Sequence, residues 1–251
     1  MTDLTGKTVL LTGALGSLGR AQAEAYAAAH ASLYLLDRPG DERGPAFAAE
    51  LAKRHGVAAE YVGHDLGNLE ETERVGHALA GRAGAIDILI NDAALIINRP
   101  FEDFSVAEYD EQLRVNAAAG LALARAVAPG MKRKRYGKII NFCSLTLNGR
   151  WDGYVPYVVS KGAVLGLTKG LARELGPFGI CVNAISPGAV VSEAEERVFG
   201  DRLQAYNDWI LENQSLKKRI QPEDVANLSL FLASPASDMI SGQNIGIDGG
   251  W

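Results

Sequence analysis

The chain predicts an α/β fold: one three-layer, Rossmann-like domain built on a doubly wound parallel sheet. Three observations carry that prediction. Short apolar runs alternate with helix-length stretches from end to end. The connections between them are a few residues long, as in open α/β sheets. The first apolar run ends in a glycine-spaced turn, Gly13, Gly16 and Gly19, that opens directly into a helix. No composition break divides the 251 residues, so 1–251 reads as a single domain.

Taken in order, residues 7–12 (KTVLLT) are β-branched and leucine-rich, as a strand buried on both faces requires. An alanine-rich helix follows the glycine turn to about residue 30. A second strand, 32–36, closes at Asp37-Arg38-Pro39-Gly40. A helix over 44–55, a strand over 58–64 and a helix from Asp65-Leu66-Gly67-Asn68 to about 82 continue the alternation. Residues 86–91 (IDILIN) give the fourth strand. Ser105 can cap a helical pattern that runs, with a break, to residue 134. Residues 138–143 form a strand, 155–175 a helix, and 180–185 a strand stopped by Ser186-Pro187-Gly188. Helices over 193–213 and 222–233 and a strand over 243–247 complete the chain.

Composition narrows the function classes. Hydrophobic residues make up 47%, enough for a large core, and the net charge of -5 argues against a general nucleic-acid binder. Cys143 and Cys181 have no metal or redox spacing and read as small core residues, which fits a reducing, cytoplasmic setting. His30, His55, His64 and His77 form no ligand pattern, so no metal is expected. The first residues lack a basic stretch followed by an apolar one, and no apolar run approaches the eighteen or so residues of a membrane helix.

The glycine turn is the first chemical signal. Glycines there let backbone N–H groups approach a pyrophosphate, and the helix N-terminus favours its negative charge. Residues Gly13, Gly16, Ser17, Leu18 and Gly19 are therefore the candidate cradle, and 7–91 the mainly dinucleotide-binding half. Asp37, ending the second strand, can accept both ribose hydroxyls of NAD and would repel the 2′-phosphate of NADP. Arg38 beside it is the counter-signal. Asp65 begins a loop where a carboxylate can reach the adenine amino group or cap the next helix. The second signal is Tyr157 and Lys161, four apart on one helix face. An ammonium near a phenol lowers its pKa toward the range useful for proton transfer at a carbonyl or alcohol oxygen. Ser144, at the end of the preceding strand, can donate a hydrogen bond to that same oxygen.

With these elements in order, the sequence resembles the short-chain dehydrogenase/reductase family in its short form, over essentially the whole chain. The resemblance rests on Thr12-Gly13, Asp65-Leu66, Asn91-Asp92-Ala93-Ala94, Asn116, Ser144, Tyr157 with Lys161, Asn183 to Gly188, and Asp248-Gly249-Gly250. It implies Tyr157 as general acid/base, Ser144 as the group polarising the substrate oxygen, and Lys161 as the tuner of Tyr157 and holder of the nicotinamide ribose. It implies a relay water supported by Asn116. Leu66, Asn91, Ala93, Pro187, Gly188, Val190 and Ser192 complete the expected cofactor set. Ser17 stands where the family's turn has its second glycine, Asp92 and Ala94 replace an asparagine and a glycine, and Ser192 replaces a threonine. A homotetramer or homodimer is the family's usual assembly, with the Tyr157 helix at an interface.

The substrate side falls to three loops: after Ala94, with Asn98 and Arg99; between Ser144 and Tyr157, with Asn148, Arg150 and Trp151; and 189–219, a candidate lid. Arginines can bind an anionic group bidentately, which suggests a hydroxylated acid or a sugar derivative, although solvated loop arginines would look the same. The expectation is thus an NAD-dependent enzyme that interconverts a small-molecule alcohol and a ketone. Its alternatives are a β-ketoacyl-carrier-protein reductase docking an acidic carrier at the basic run 132–135, an epimerase-like enzyme suggested by the glycine spacing, and a non-catalytic NAD sensor.

Overall fold

The computed structural model describes residues 2–251. Seven parallel strands form one sheet in the order β3-β2-β1-β4-β5-β6-β7. They are β1 Thr8–Thr12, β2 Ser32–Asp37, β3 Ala59–Gly63, β4 Ile88–Asn91, β5 Gly137–Phe142, β6 Ile180–Pro187 and β7 Asn244–Ile247. The strand order reverses direction between β1 and β4, and the crevice outside the carboxyl ends of those two strands is the ligand position of such sheets. Thr12 and Asn91 are register partners there.

Side-chain alternation explains the three layers. Val9, Leu11, Ile88, Ile90 and Ile140 share a core with α1 (Ser17–Ala28), α2 (Arg43–His55) and α9 (Pro222–Ala233). Their strand neighbours Leu10, Leu89, Ile139 and Val182 face the other way. They pack on α3 (Leu69–Arg82), α5 (Ala119–Lys134) and α6 (Val155–Leu175). Both faces are covered, so the inner strands β1, β4, β5 and β6 are buried nearly throughout, whereas the edge strands β3 and β7 are only partly covered.

The differences from expectation have local causes. The break expected in the helical pattern after Ser105 is a π-helical turn at Arg114–Ala118, which joins two helices, α4 (Val106–Leu113) and α5. Ser105 caps α4 with a full capping box to Glu108. The expected helix over 193–213 is likewise two, α7 (Glu193–Phe199) and α8 (Leu203–Asn213). It breaks at Gly200, whose φ of 47° no helix accommodates. Asn68, not Asp65, caps α3, its side chain accepting from Glu71 N–H at 3.2 Å. Asp65 instead turns the loop by accepting from Gly67 N–H. Both cysteines are buried and free, as expected of core residues. Among the described residues no helix is long and apolar enough to cross a membrane, and no group of side chains could hold a metal ion.

Candidate active site

The glycine turn is built by exclusion of Cβ atoms. Gly13 sits at φ 70°, and a Cβ on it would meet Ala93 Cα at 2.8 Å. A Cβ on Gly19 would stand 2.1 Å from Gly13 O. Gly16 has room and serves as the N-cap of α1, with no side chain capping the helix. The first-turn N–H groups of α1, starting at Ser17 and Leu18, therefore present an uncapped helix N-terminus. Thr12 Oγ1 accepts from the N–H groups of Asp92 and Ala93 at 3.1 Å each, which clamps the end of β4 against the turn. Asp37 accepts from Leu15 N–H at 2.8 Å and from Arg38 N–H at 2.7 Å. Its carboxylate thus stands fixed at the edge of the cradle. The residues present fit a nicotinamide dinucleotide.

Other expected cofactor residues divide by what their side chains already do. Asp65 is exposed and Leu66 is buried. The amide of Asn91 donates to Asn141 Oδ1 at 2.8 Å, while its own Oδ1 is buried without a partner. Ser192 caps α7, accepting from Glu195 N–H. It also lines a cavity of about 140 Å3 together with Ser144, Tyr157, Pro187, Gly188 and Val190.

That cavity is where the proton-transfer residues meet. Ser144 lies two residues beyond the end of β5, and its Oγ accepts from Thr146 N–H at 3.1 Å and from Thr146 Oγ1 at 2.9 Å. Ser144 and Tyr157 line the same cavity, near enough for the serine hydroxyl to act on the tyrosine. In the free chain burial is the dominant influence on the tyrosine. It holds the Tyr157 pKa well above the ordinary value, and the Ser144 hydroxyl works against it. Lys161 lies 5.4 Å from the Tyr157 ring centroid and donates to Phe142 O at 2.7 Å. Its own pKa is pulled down to about 8 by burial. Asp92, in place of the family's asparagine, is pushed up to about 7 by burial, with Lys161 opposing and Asp37 reinforcing that rise.

Asn116 sits in the π-helical turn, where local geometry is adapted to function more often than in regular helix. Its side chain accepts from Leu95 N–H at 2.6 Å and donates to Leu95 O and Ser160 Oγ. Ser160 in turn donates to Tyr157 O at 2.7 Å. Asn116 therefore braces the loop after β4 against the Tyr157 helix, with both amide protons engaged and one lone pair of Oδ1 unused.

On the substrate side, Trp151 lines the cavity, but Asn148 and Arg150 do not. Arg150 lies over the Trp251 ring, 5.7 Å from its centroid. Arg99 is paired with Glu108 and stacked on Phe104, and Asn98 donates to Asp152 O. Glu195 enters the cavity from α7, beside Phe199 and Tyr206. Arg219 Nη2 reaches both its carboxylate oxygens at 2.6 and 2.7 Å. Sequence reading missed Thr146, Glu195, Tyr206 and Arg219. Thr146 had a signal in its hydroxyl two residues after Ser144; the other three lie within the expected lid segment 189–219, but nothing local singled them out from it. The basic run is mostly engaged within the fold: Lys134 pairs with Asp87, Lys132 lies over Phe178, and Arg135 donates to Pro177 O.

Residues 13–251 match the family model described as enoyl-(acyl carrier protein) reductase. The chain is 36% identical over 249 residues to the D-xylose 1-dehydrogenase of Caulobacter vibrioides (strain NA1000 / CB15N), covering 99% of this chain and 97% of that one. It is 32% identical over 248 residues to the gluconate 5-dehydrogenase of Gluconobacter oxydans (strain 621H), covering 99% and 95%. A crystal structure from Beutenbergia cavernae that holds NADP at low occupancy superposes with a TM-score of 0.92 at 34% identity, covering 99% and 98%.

Proposed function

This chain belongs to the short-chain dehydrogenase/reductase family, and we propose that it is an NAD-dependent oxidoreductase interconverting a secondary CH–OH group and its carbonyl on a hydroxylated small molecule. Its relatives include dehydrogenases of D-xylose and of gluconate, and the related crystal structure from Beutenbergia cavernae holds NADP. The preference for NAD is our reading of Asp37, fixed at the cradle edge by Leu15 and Arg38.

One observation carries the chemistry: Tyr157 and Ser144 line one cavity just beyond the end of β5. Ser144 Oγ receives two donors from Thr146, which leaves its own proton to give to a substrate oxygen. Tyr157 exchanges the proton on that oxygen. In the free chain burial keeps Tyr157 protonated, the form that acts as an acid toward a carbonyl. In the alcohol direction the charge on Lys161 must offset burial. The bound nicotinamide supplies or receives the hydride. Asn116 and Thr146 are positioning residues, acting through Leu95 and Ser144 respectively.

We place the protein in the cytoplasm, in keeping with two free thiols, and as a homotetramer or homodimer. Val155 and Val159 on α6 and Leu121 on α5 are exposed apolar side chains of the kind an assembly covers. The test is turnover of a panel of sugars, sugar acids and hydroxy acids, followed by the absorbance of reduced nicotinamide. Tyr157→Phe should bind NAD with unchanged affinity and lose catalysis by about 10²–10⁴-fold. A variant that keeps its rate removes Tyr157 from the mechanism.

A further inference from the structure

Five aromatic rings surround the reacting position, and no cation lines it. Tyr157 and Ser144 mark one side of the cavity, Trp151 and Tyr154 come from the loop and helix start after β5, and Phe199 and Tyr206 come from α7 and α8. The only ionisable carboxylate in the lining is Glu195, whose side chain is 8% exposed.

Each nearby cation is engaged or set outside the lining. Arg219 holds Glu195 and donates to Ala189 O. Lys161 donates to Phe142 O. Arg150 lies over Trp251, which itself stacks on Trp151 at 5.0 Å, so two indoles stand between that guanidinium and the cavity. Arg202 is exposed, 6.0 Å from the Phe199 centroid. A carboxylate entering here would be desolvated without a direct partner and would meet Glu195, a like charge.

We propose that this cavity selects a neutral polyhydroxylated ligand, a free aldose-type sugar, over sugar acids and other carboxylates. Glu195 receives ligand hydroxyls while Trp151, Tyr154 and Phe199 cover the C–H face of the sugar. The substrate assignment rests on the oxidoreductase reading above. The physical case has two parts. A carboxylate offers about four lone-pair sites, and Arg219 with the Tyr206 hydroxyl leaves some of them for ligand hydroxyls, whose bonds to a charged acceptor are the stronger kind. The negative faces of aromatic rings attract polarised C–H groups, which a sugar presents opposite its hydroxyls.

The molecule carries its own reporter. All three tryptophans stand together beside the cavity, Trp151 5.9 Å from Trp209 and Trp209 5.1 Å from Trp251 between centroids. Intrinsic fluorescence of the full chain with NAD present would be titrated with D-xylose against D-xylonate and D-glucose against D-gluconate. We expect at least one aldose to bind about tenfold or more tighter than its acid. Glu195→Gln should weaken that aldose and narrow the gap. Acids binding as tightly as their aldoses overturn the proposal, as does acid binding that Arg150→Ala or Arg202→Ala abolishes, since that arginine would be the missing cation. No binding by any of the four overturns it too. The wild-type comparison needs no variant to fold. Turnover separates the two readings: NAD reduction by acids alone sinks the aldose assignment and leaves the oxidoreductase standing. Aldose binding without any NAD reduction sinks the oxidoreductase and leaves the pocket's selectivity standing.

Discussion

Asp92→Asn should make the protein's stability less sensitive to alkali, and the size of the effect follows from the site. Burial raises the Asp92 carboxyl to about 7 in the folded chain, against about 3.9 when unfolded. The folded state therefore holds a proton that the unfolded state releases. Stability from this group is full below about pH 4 and is lost as pH rises through about 7. The shift of about 3 units is worth about 1.4 kcal/mol each, so the ceiling is about 4 kcal/mol. Asp92 is half-buried, which keeps the realised value below that ceiling. Asparagine has the shape of the protonated acid and does not titrate. At low pH the variant and parent should be nearly equal; above neutrality the variant should be more stable by about 1–4 kcal/mol. Lys161 works in the same sense: without Asp92 its lowered pKa falls further, and a lysine of depressed pKa adds stability as pH rises. Urea unfolding at about pH 5 and about pH 8 measures the difference. Parallel pH profiles, or a parent more stable than the variant at the higher pH, would refute the assignment of a buried, raised carboxyl.

Three further outcomes follow from single contacts. Thr146→Val removes the hydroxyl that bonds Ser144 Oγ, so kcat should fall about tenfold while KM holds; a change confined to KM would place Thr146 in binding instead. Asp37→Ala should shift the ratio of kcat/KM values toward NADP by about tenfold, and equal losses with both cofactors would show that Asp37 only supports the Leu15 turn. Asn116→Ala leaves the N–H and C=O of Leu95 without their partner and should cost about 1–3 kcal/mol in urea unfolding, with kcat falling more than affinity for NAD. Unchanged stability would mean that the loop after β4 holds itself.

The sheet was legible because its physics is local. Runs such as KTVLLT and IDILIN cannot sit anywhere but in buried parallel strands, and the glycine turn announces the first strand–helix junction. What escaped was the form that the helix breaks take. Nothing in the side-chain pattern around Asn116 distinguishes a π-helical turn from an α-helix, because the extra residue is accommodated by tertiary contacts to Leu95 and Ser160. Gly200 was a visible break, yet an amphipathic pattern running across it suggested one helix where the structure has two.

The site divides the same way. Ser144, Tyr157 and Lys161 come from one strand end and one helix, close in sequence, so spacing alone brings them together. Charge was harder to place than chemistry. Arg99 and Arg150 looked like anion anchors on loops bound for the cleft, but a guanidinium on a long stem goes to the nearest carboxylate or ring, and Glu108 and Trp251 supplied them. The residues that define the cavity's electrostatics, Glu195 and Arg219, lie 24 positions apart and find each other only when α7 folds against the bridge between Val190 and Ile220. A proton-transfer group can be read from its neighbours in the chain, whereas the sign of a pocket depends on which charges the fold has already paired.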